Sequence, residues 1–188
     1  MFNAFVDLKN CVFLDTVKNI NCSDITYKLT IQDGHSITTD PDRWNLDTSE
    51  YNTIYQMWKD SNFNPASIKW INYYPGKHYE QDLVNNIQSY LGLSGIHRSW
   101  ISRVDPGYYA PWHWDIDDNE KFYLQKGIPT RYSIMIGESF PGQIFIIGQD
   151  HIYNCPEGSI FRWNNYKEWH CGINASMVPK YMLHILAY

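Results

Sequence analysis

The sequence lacks several features that would define its class at once. No apolar run approaches the roughly 20 residues that a membrane-spanning helix needs, and Met1 to Asp15 has no basic start followed by a long apolar stretch. We therefore expect no membrane segment, no signal peptide and a cytoplasmic location. No repeat, low-complexity tract or linker interrupts the 188 residues, which predicts a single domain spanning 1–188.

Positive charge and cysteine are also scarce. The chain has 15 Lys and Arg against 20 Asp and Glu, a net charge of −5, and its basic residues are dispersed. Binding to a phosphate backbone relies on clustered Lys and Arg, so we expect no nucleic-acid partner. The 4 cysteines include no C-x-x-C pair, and in a chain without a secretion signal we expect free buried thiols rather than disulfides.

The first half of the chain, residues 1–95, has a mixed helix and strand pattern. Apolar residues recur at helical spacing in two places, which predicts helices near Tyr51–Trp58 and Tyr79–Leu91. Between them, Ser67–Tyr74 is expected to form a strand that ends at a Pro-Gly turn. We expect this half to support the second half, with its helices covering one sheet.

The second half, residues 96–188, changes to short apolar segments separated by turn signals. Eight short strands at this spacing favour a mainly β sandwich or jelly roll with flanking helices. The last segment carries apolar residues on one face and Lys180, Met182 and His184 on the other, so both faces are expected to be buried. The predicted strands are His97–Val104, Tyr108–Asp115, Thr130–Gly137, Gln143–Ile147, His151–Asn154, Ser159–Trp163, Glu168–Asn174 and Lys180–Ala187.

One set of residues in this half has the pattern of a metal site. His113 and Asp115 are spaced i, i+2, so within a strand they point to the same face. A distant strand supplies His170 as a third ligand. Two histidines and one carboxylate are the ligand set of non-haem Fe(II) oxygenases, which leaves open positions on the metal. The sequence therefore predicts a metal site made by His113, Asp115 and His170.

A buried cation is expected beside this site. Lys180 lies in an otherwise apolar strand ten residues after His170, and a buried lysine is costly unless it meets an anion. Arg131 and Ser133 share a face of the third predicted strand and could add donors to the same anion, as could Arg103.

The same residues resemble a known family, the 2-oxoglutarate/Fe(II)-dependent oxygenases. The resemblance covers about Ile96 to Tyr188. It lies in the segments Asp105–Asp115, Pro141–Phe145, Pro156–Phe161, Trp169–Asn174 and Lys180–Ile185. The spacing of Lys180 from His170 is similar to that of prolyl 4-hydroxylases, and Arg131-Tyr132-Ser133 is similar to a strand of the aspartyl/asparaginyl β-hydroxylases.

The resemblance implies a fold, a set of cofactors and an activity. The fold would be a double-stranded β-helix, the cupin-like jelly roll, with residues 96–188 as its core. Fe(II) would be held by His113, Asp115 and His170, and 2-oxoglutarate would be bound by Lys180 and Arg131. With O₂ as co-substrate, the enzyme would hydroxylate a small molecule or a peptide side chain and release succinate and CO₂.

Other interpretations of the sequence stay open. A cupin-like metal enzyme or binding protein would keep the histidines without using 2-oxoglutarate, and a non-catalytic ligand-binding jelly roll would need no metal. Asp117–Gln125 is either a solvated loop or a lid over the substrate. His184 shares a face with Lys180 and is expected to be a structural polar residue rather than part of the pocket.

Overall fold

The computed structural model describes residues 8–18, 22–31, 34–38, 49–62, 65–114, 129–163 and 168–188. The helices are α1 (Cys22–Ile31), α2 (Ser49–Asp60) and α3 (Asp82–Leu91), with a short 3₁₀ turn at Pro65–Ser67. The strands are β1 (Val12–Thr16), β2 (His35–Thr38), β3 (Lys69–Tyr73), β4 (Ile96–Val104), β5 (Tyr109–His113), β6 (Thr130–Ile136), β7 (Gln143–Ile147), β8 (Asp150–Ile152), β9 (Ser159–Trp163), β10 (His170–Asn174) and β11 (Lys180–Ala187). None of the helices in these ranges is long and apolar enough to cross a membrane.

The strands form two antiparallel sheets, which confirms the predicted jelly-roll fold class. The larger sheet has seven strands in the order β1-β9-β6-β11-β4-β3-β2, and the smaller sheet has four in the order β5-β10-β7-β8. The eight strands predicted in the second half are all present, and each sheet takes four of them. Turn signals between short apolar segments were therefore sufficient to locate these strands.

The first half of the chain extends the larger sheet as well as covering it. β1 pairs with β9 at one edge, and β3 and β2 add to β4 at the other. Helix α3 covers the outer face of this sheet through Val84 and Ile87, as predicted. Helix α2 does not join α3 on that outer face, as the sequence analysis expected: Ile54 and Trp58 pack in a cluster with Trp70 and Val104, which are inward-facing residues of β3 and β4, and with Ala110 of β5. The Trp58 indole Nε1–H donates to the Trp112 carbonyl at 2.7 Å and fixes α2 to β5.

Strand β11 is the centre of the larger sheet, between β4 and β6, and all eight of its residues are buried. Its outer face, which includes Leu183 and Ile185, lies in the core beneath α3. Burial of one such side chain contributes about 1.5–3 kcal/mol to stability. Its inner face carries Lys180, Met182 and His184 toward the smaller sheet, as the alternating pattern of the sequence predicts.

The strand directions bring particular residues to one end of the barrel. β5 ends at His113 and β10 begins at His170, and these two residues are direct partners in the antiparallel pair. β9 ends at Trp163 and β6 begins beside Arg131, which is paired with Trp163. We call this the histidine end of the barrel. Strand β11 begins at Lys180, so this lysine enters from the opposite end.

Candidate metal centre

The two histidines predicted as metal ligands lie together. The ring centres of His113 and His170 are 4.2 Å apart, and the planes of the two rings are inclined by 53°. His170 is buried, whereas His113 is half-buried at the end of its strand. Because the register of the β5–β10 pair sets this contact, the juxtaposition is a consequence of the backbone fold rather than of two flexible side chains.

Backbone carbonyls hold both rings in one orientation. His113 Nδ1 lies 2.6 Å from the Pro111 carbonyl oxygen, and His170 Nδ1 lies 2.9 Å from the Glu168 carbonyl oxygen. A carbonyl can only accept, so Nδ1 carries the proton in each ring and Nε2 is left as the lone-pair nitrogen. Histidines that bind a metal through Nε2 are oriented by this same kind of Nδ1–H donation.

The pKa values of the two rings favour the neutral form that binds metal. Desolvation in the barrel lowers the pKa of His113 to about 4, and the charge of Arg131 acts in the same direction. Burial also lowers the pKa of His170 well below its ordinary value, with further contributions from His113 and Arg131. Both imidazoles are therefore neutral at physiological pH, and no proton has to leave before a metal binds.

The third predicted ligand, Asp115, lies outside the described residues, as does the Asp117–Gln125 segment. Among the residues that the structure describes, no group of three His, Cys, Asp or Glu side chains is arranged to hold a metal ion. Two neutral, pre-oriented imidazoles fit a divalent metal such as iron. A carboxylate two residues after His113 would complete the two-histidine, one-carboxylate set.

Aromatic side chains that the sequence analysis missed surround the histidine pair. The Trp70 ring stacks on His113 with centres 5.4 Å apart, and the Trp163 ring meets His170 edge-on at 4.8 Å. Phe145 lies 6.1 Å from the ring of His170. The available signal was the alternation of β3 and β9, which places Trp70 and Trp163 on inward-facing positions, but alternation alone does not show which strand lies opposite.

Lys180 is inside the barrel, as predicted, but it has a partner within the chain. Its side chain is 4% exposed, and Nζ donates to the Ile144 carbonyl oxygen at 2.6 Å. The ammonium lies 5.2 Å from the Phe145 ring centre, and the centre of the same ring lies 6.1 Å from that of His170. Burial lowers the pKa of Lys180 to about 7, although nearby Cys171 and Cys155 oppose the shift.

Arg131, the other predicted anion-binding residue, is buried at the histidine end. Its guanidinium carbon lies 4.3 Å from the Trp163 ring centre and 4.9 Å from that of Trp100. Arg131 Nη2 lies 3.1 Å from His184 Nδ1. Because a guanidinium only donates, Nδ1 of His184 is the acceptor and Nε2 carries the proton.

His184 is the centre of a buried polar network that extends from Arg131. The Ser133 hydroxyl donates to His184 Nδ1 at 3.0 Å and accepts from the Trp163 indole N–H at 3.1 Å. On the other side of the ring, His184 Nε2–H donates to the Ser102 hydroxyl at 3.0 Å. Burial, followed by the charges of Arg131 and Lys180, lowers the pKa of His184 well below its ordinary value. His184 is thus a neutral residue of the barrel interior.

The proposal from sequence that Arg103 adds a donor to this site is wrong. Arg103 is an outward-facing residue of β4, because the inward positions are taken by its neighbours Ser102 and Val104. Its Nε forms an ion pair with Asp105 at 2.6 Å, and its guanidinium lies over the Tyr181 ring on the outer face.

Several buried polar side-chain atoms of the described residues have no hydrogen-bond partner there, and one of them is the amide oxygen of Asn72. Asn72 is 8% exposed, and its Oδ1 has no hydrogen-bond partner within the ranges that the structure describes. It lies two residues from Trp70 on the same inward face of β3, opposite Ser102 of β4. Buried amide oxygens are nearly always hydrogen-bonded, so this position requires a donor from water or a ligand.

Comparisons with known proteins give structural similarity only. No protein-family model matches the sequence, and no curated protein matches it. Similar solved structures include an oxidoreductase of the 2OG-Fe(II) oxygenase family from Burkholderia pseudomallei, with 12% identity, 94% of this chain and 84% of that chain covered, and a TM-score of 0.48. The viral collagen prolyl hydroxylase of Paramecium bursaria Chlorella virus-1, solved with 2OG, has 13% identity, covers 84% of this chain and 96% of its own, and has a TM-score of 0.45. A cupin domain from Bordetella pertussis has 12% identity, covers 48% and 80%, and has a TM-score of 0.35.

Proposed function

We propose that this chain is an Fe(II)- and 2-oxoglutarate-dependent oxygenase that hydroxylates a small molecule or a peptide or protein side chain. The observation that carries the proposal is the His113–His170 pair, with rings 4.2 Å apart and both Nδ1 atoms held by backbone carbonyls. If the two histidines had only a structural role, Nε2 would not need to carry the lone pair in both rings.

The residues have distinct roles in this proposal. His113, Asp115 and His170 would hold the metal, with Asp115 placed by its spacing from His113. Iron and 2-oxoglutarate, when bound, would supply the activation of O₂ and the oxidation of a C–H bond. The protein keeps the imidazoles neutral and oriented, and Trp70, Trp163 and Phe145 limit the access of water to them.

Lys180 would bind the distal carboxylate of the co-substrate. Its ammonium is buried and donates to the Ile144 carbonyl, and an incoming carboxylate would form a charge-assisted hydrogen bond with it and restore the charged form. Lys180 lies deeper in the barrel than the histidines, which leaves the histidine end for the substrate.

A cupin-like metal enzyme or binding protein that does not use 2-oxoglutarate is the second candidate. The observation that favours it is the 2.6 Å bond from Lys180 to Ile144, because a lysine whose role is to hold β7 against β11 needs no external anion. In that case the histidine pair would still bind a metal.

Succinate formation separates the two candidates. Purified protein, Fe(II), ascorbate, O₂ and 2-oxoglutarate would be incubated with pools of amino acids, peptides and metabolites, and succinate would be measured. We expect succinate to form above the rate of a His113→Ala, His170→Ala double variant, and to increase with one substrate pool. Binding of a metal together with no binding of 2-oxoglutarate and no succinate would favour the cupin-like alternative. The absence of a nucleic-acid partner and the cytoplasmic location stay predictions from sequence.

A further inference from the structure

Gly172 is a glycine in the middle of β10, an interior strand of the smaller sheet. It is the partner of Ala110 in β5 on one side and of Phe145 in β7 on the other. A glycine inside a strand has no side chain to pack, and it loses more conformational freedom on folding than any other residue. Its presence there requires a local reason, which is a special backbone conformation, a lack of space, or the close approach of another molecule.

The backbone conformation at this position does not require glycine. A bulge lies in the β5–β10 pair, because the step from Ala110 to His113 in β5 lies opposite the shorter step from Gly172 to His170 in β10. The extra residue of the bulge therefore belongs to β5. Bulges that need a glycine place it in the left-handed region, and the φ of Gly172 lies outside that region.

The packing around Gly172 does not require glycine either. A Cβ atom built on Gly172 would lie 3.9 Å from Lys180 Nζ and 4.0 Å from Val104 Cγ2, which are ordinary van der Waals distances. Both atoms belong to inward-facing residues of the larger sheet, so this position faces the barrel interior. An alanine would fit without displacing these atoms, and the reason that remains is a molecule that approaches β10 closely at this point.

Gly172 lies between the candidate metal ligands and Lys180. In β10 it is the next inward-facing residue after His170, about 7 Å further along the strand. Lys180 Nζ lies beside it and is bonded to the Ile144 carbonyl of the neighbouring strand β7. Phe145 flanks the same path, since its ring centre is 6.1 Å from that of His170 and 5.2 Å from Lys180 Nζ. A molecule that joined a metal at His170 to the ammonium of Lys180 would therefore run along β10 past Gly172.

We propose that Gly172 is a specificity-determining residue of the co-substrate site: the carbon chain of the 2-oxo acid passes against the β10 backbone at Gly172, where a side chain would occupy part of its path. This inference rests on the proposed function, in which the histidine pair holds the metal and Lys180 takes the distal carboxylate. The missing side chain admits an acid long enough to reach from the metal to Lys180. A short chelating acid does not extend as far as Gly172 and gains nothing from the glycine.

The test compares Gly172→Ala and Gly172→Val with the unmodified full chain. Calorimetric titration of the Zn(II)-loaded proteins measures Kd for 2-oxoglutarate and for oxalate, a chelating acid too short to reach Lys180. We expect the Kd of 2-oxoglutarate to rise by about ten-fold or more in Gly172→Val and by less in Gly172→Ala, because overpacking a closed site is costly. The Kd of oxalate should be unchanged in both variants.

Thermal unfolding separates this role from a structural one. Alanine restricts the unfolded chain, so the Tm of Gly172→Ala should equal or exceed that of the unmodified chain. The control is Gly95→Ala, at a glycine with an ordinary φ and no described atom within 4 Å of a built Cβ, which should change neither Kd. A lower Tm or no folded state in Gly172→Ala would show that the fold itself requires the glycine, and would overturn the assignment. If only Gly172→Val fails to fold, the titrations of Gly172→Ala decide.

The titrations also distinguish failure of this assignment from failure of the proposed function. Equal affinity for 2-oxoglutarate in the unmodified chain and the variants would place the co-substrate away from Gly172 and leave the proposed function intact. Equal losses for oxalate and 2-oxoglutarate would mean that the metal centre was disturbed, and would also overturn the assignment. If the unmodified chain binds oxalate but not 2-oxoglutarate, the proposed function fails, and the role of Gly172 fails with it.

Discussion

His113 and His170 are direct partners in the antiparallel β5–β10 pair, and their rings lie 4.2 Å apart. Two residues that are 57 positions apart in the sequence are thus brought together by strand register alone. The hydrogen bonds of Nδ1 to the Pro111 and Glu168 carbonyls leave Nε2 of each ring as the lone-pair nitrogen, which is the atom that would bind the proposed metal. A pre-oriented pair of this kind binds a divalent metal with little further ordering of the side chains.

Replacing Lys180 by Ala should weaken the binding of 2-oxoglutarate by roughly 2–5 kcal/mol, the range for truncating one partner of a buried, hydrogen-bonded charge pair. The loss is expected because Lys180 is buried inside the barrel, where a bound carboxylate would be the ionic partner of its ammonium. Isothermal titration with 2-oxoglutarate under anaerobic conditions measures the change, and Lys77→Ala, at an exposed position, is the control. Unchanged affinity in Lys180→Ala would remove the co-substrate from this lysine and support the cupin-like alternative.

Replacing His184 by Leu should destabilise the fold through the network around it. The change removes the acceptor of Arg131 Nη2 and the partners of the Ser133 and Ser102 hydroxyls. Each buried polar group left without a partner costs about 1–3 kcal/mol. Urea denaturation measures the change in the free energy of unfolding. His184→Asn should recover part of it, and His151→Leu, at an exposed position of β8, should change it little. If His184→Leu and His151→Leu changed the free energy of unfolding equally, the hydrogen-bond network around His184 would not stabilise the fold.

The carboxylate of Asp150 predicts a dependence of stability on pH. It accepts the backbone N–H groups of Lys9, Asn10 and Cys11 at 2.7, 2.5 and 2.8 Å. Burial alone would raise the pKa of Asp150, but these hydrogen bonds outweigh it and hold the pKa below its ordinary value of 3.8. A lowered pKa stabilises the folded state above the unfolded pKa, and this contribution is lost as the pH falls through the folded value.

Asp150→Asn should therefore reduce the free energy of unfolding by about 1–3 kcal/mol at pH 7. The difference from the unmodified chain should shrink below about pH 4, where the carboxyl of the unfolded chain becomes protonated. Chemical denaturation between pH 3 and pH 7 measures this, with Glu138→Gln on an exposed position as the control. A difference that is constant across this pH range would show that charge on Asp150 is not the cause.

The strands of the second half could be predicted because local signals specify them. Turn residues separate β4 to β11, and alternation in β11 placed Lys180 and His184 on one inward face. The partners of these residues could not be predicted in the same way, since they depend on which strands face each other across the barrel. The sequence assigned Arg131 and Lys180 to one anion, whereas the strand directions place them at opposite ends.

The first half was harder to predict for a physical reason. β1 and β2 are short edge strands. They are extended because they pair with β9 and β3, and their own sequences carry no strong strand pattern. Trp70 and Asn72 belong to the predicted strand β3, and a polar residue between inward-facing aromatic positions was the signal that could have marked Asn72. Its significance appears only with β3 beside β4 and with Trp70 on His113.

Metal binding by the histidine pair is the most direct test of the account. Metal-free protein would be titrated anaerobically with Fe(II), or with Co(II) as a spectroscopic probe, alongside the variants His113→Ala, His170→Ala and the exposed-histidine control His151→Ala. We expect one metal ion per chain in the unmodified protein and in His151→Ala. Metal affinity in His113→Ala and His170→Ala should fall by more than about 100-fold. This is a larger loss than the one that follows when a residue that only orients a metal ligand is removed. Equal metal affinity in all four proteins, or no binding by the unmodified chain, would contradict the account.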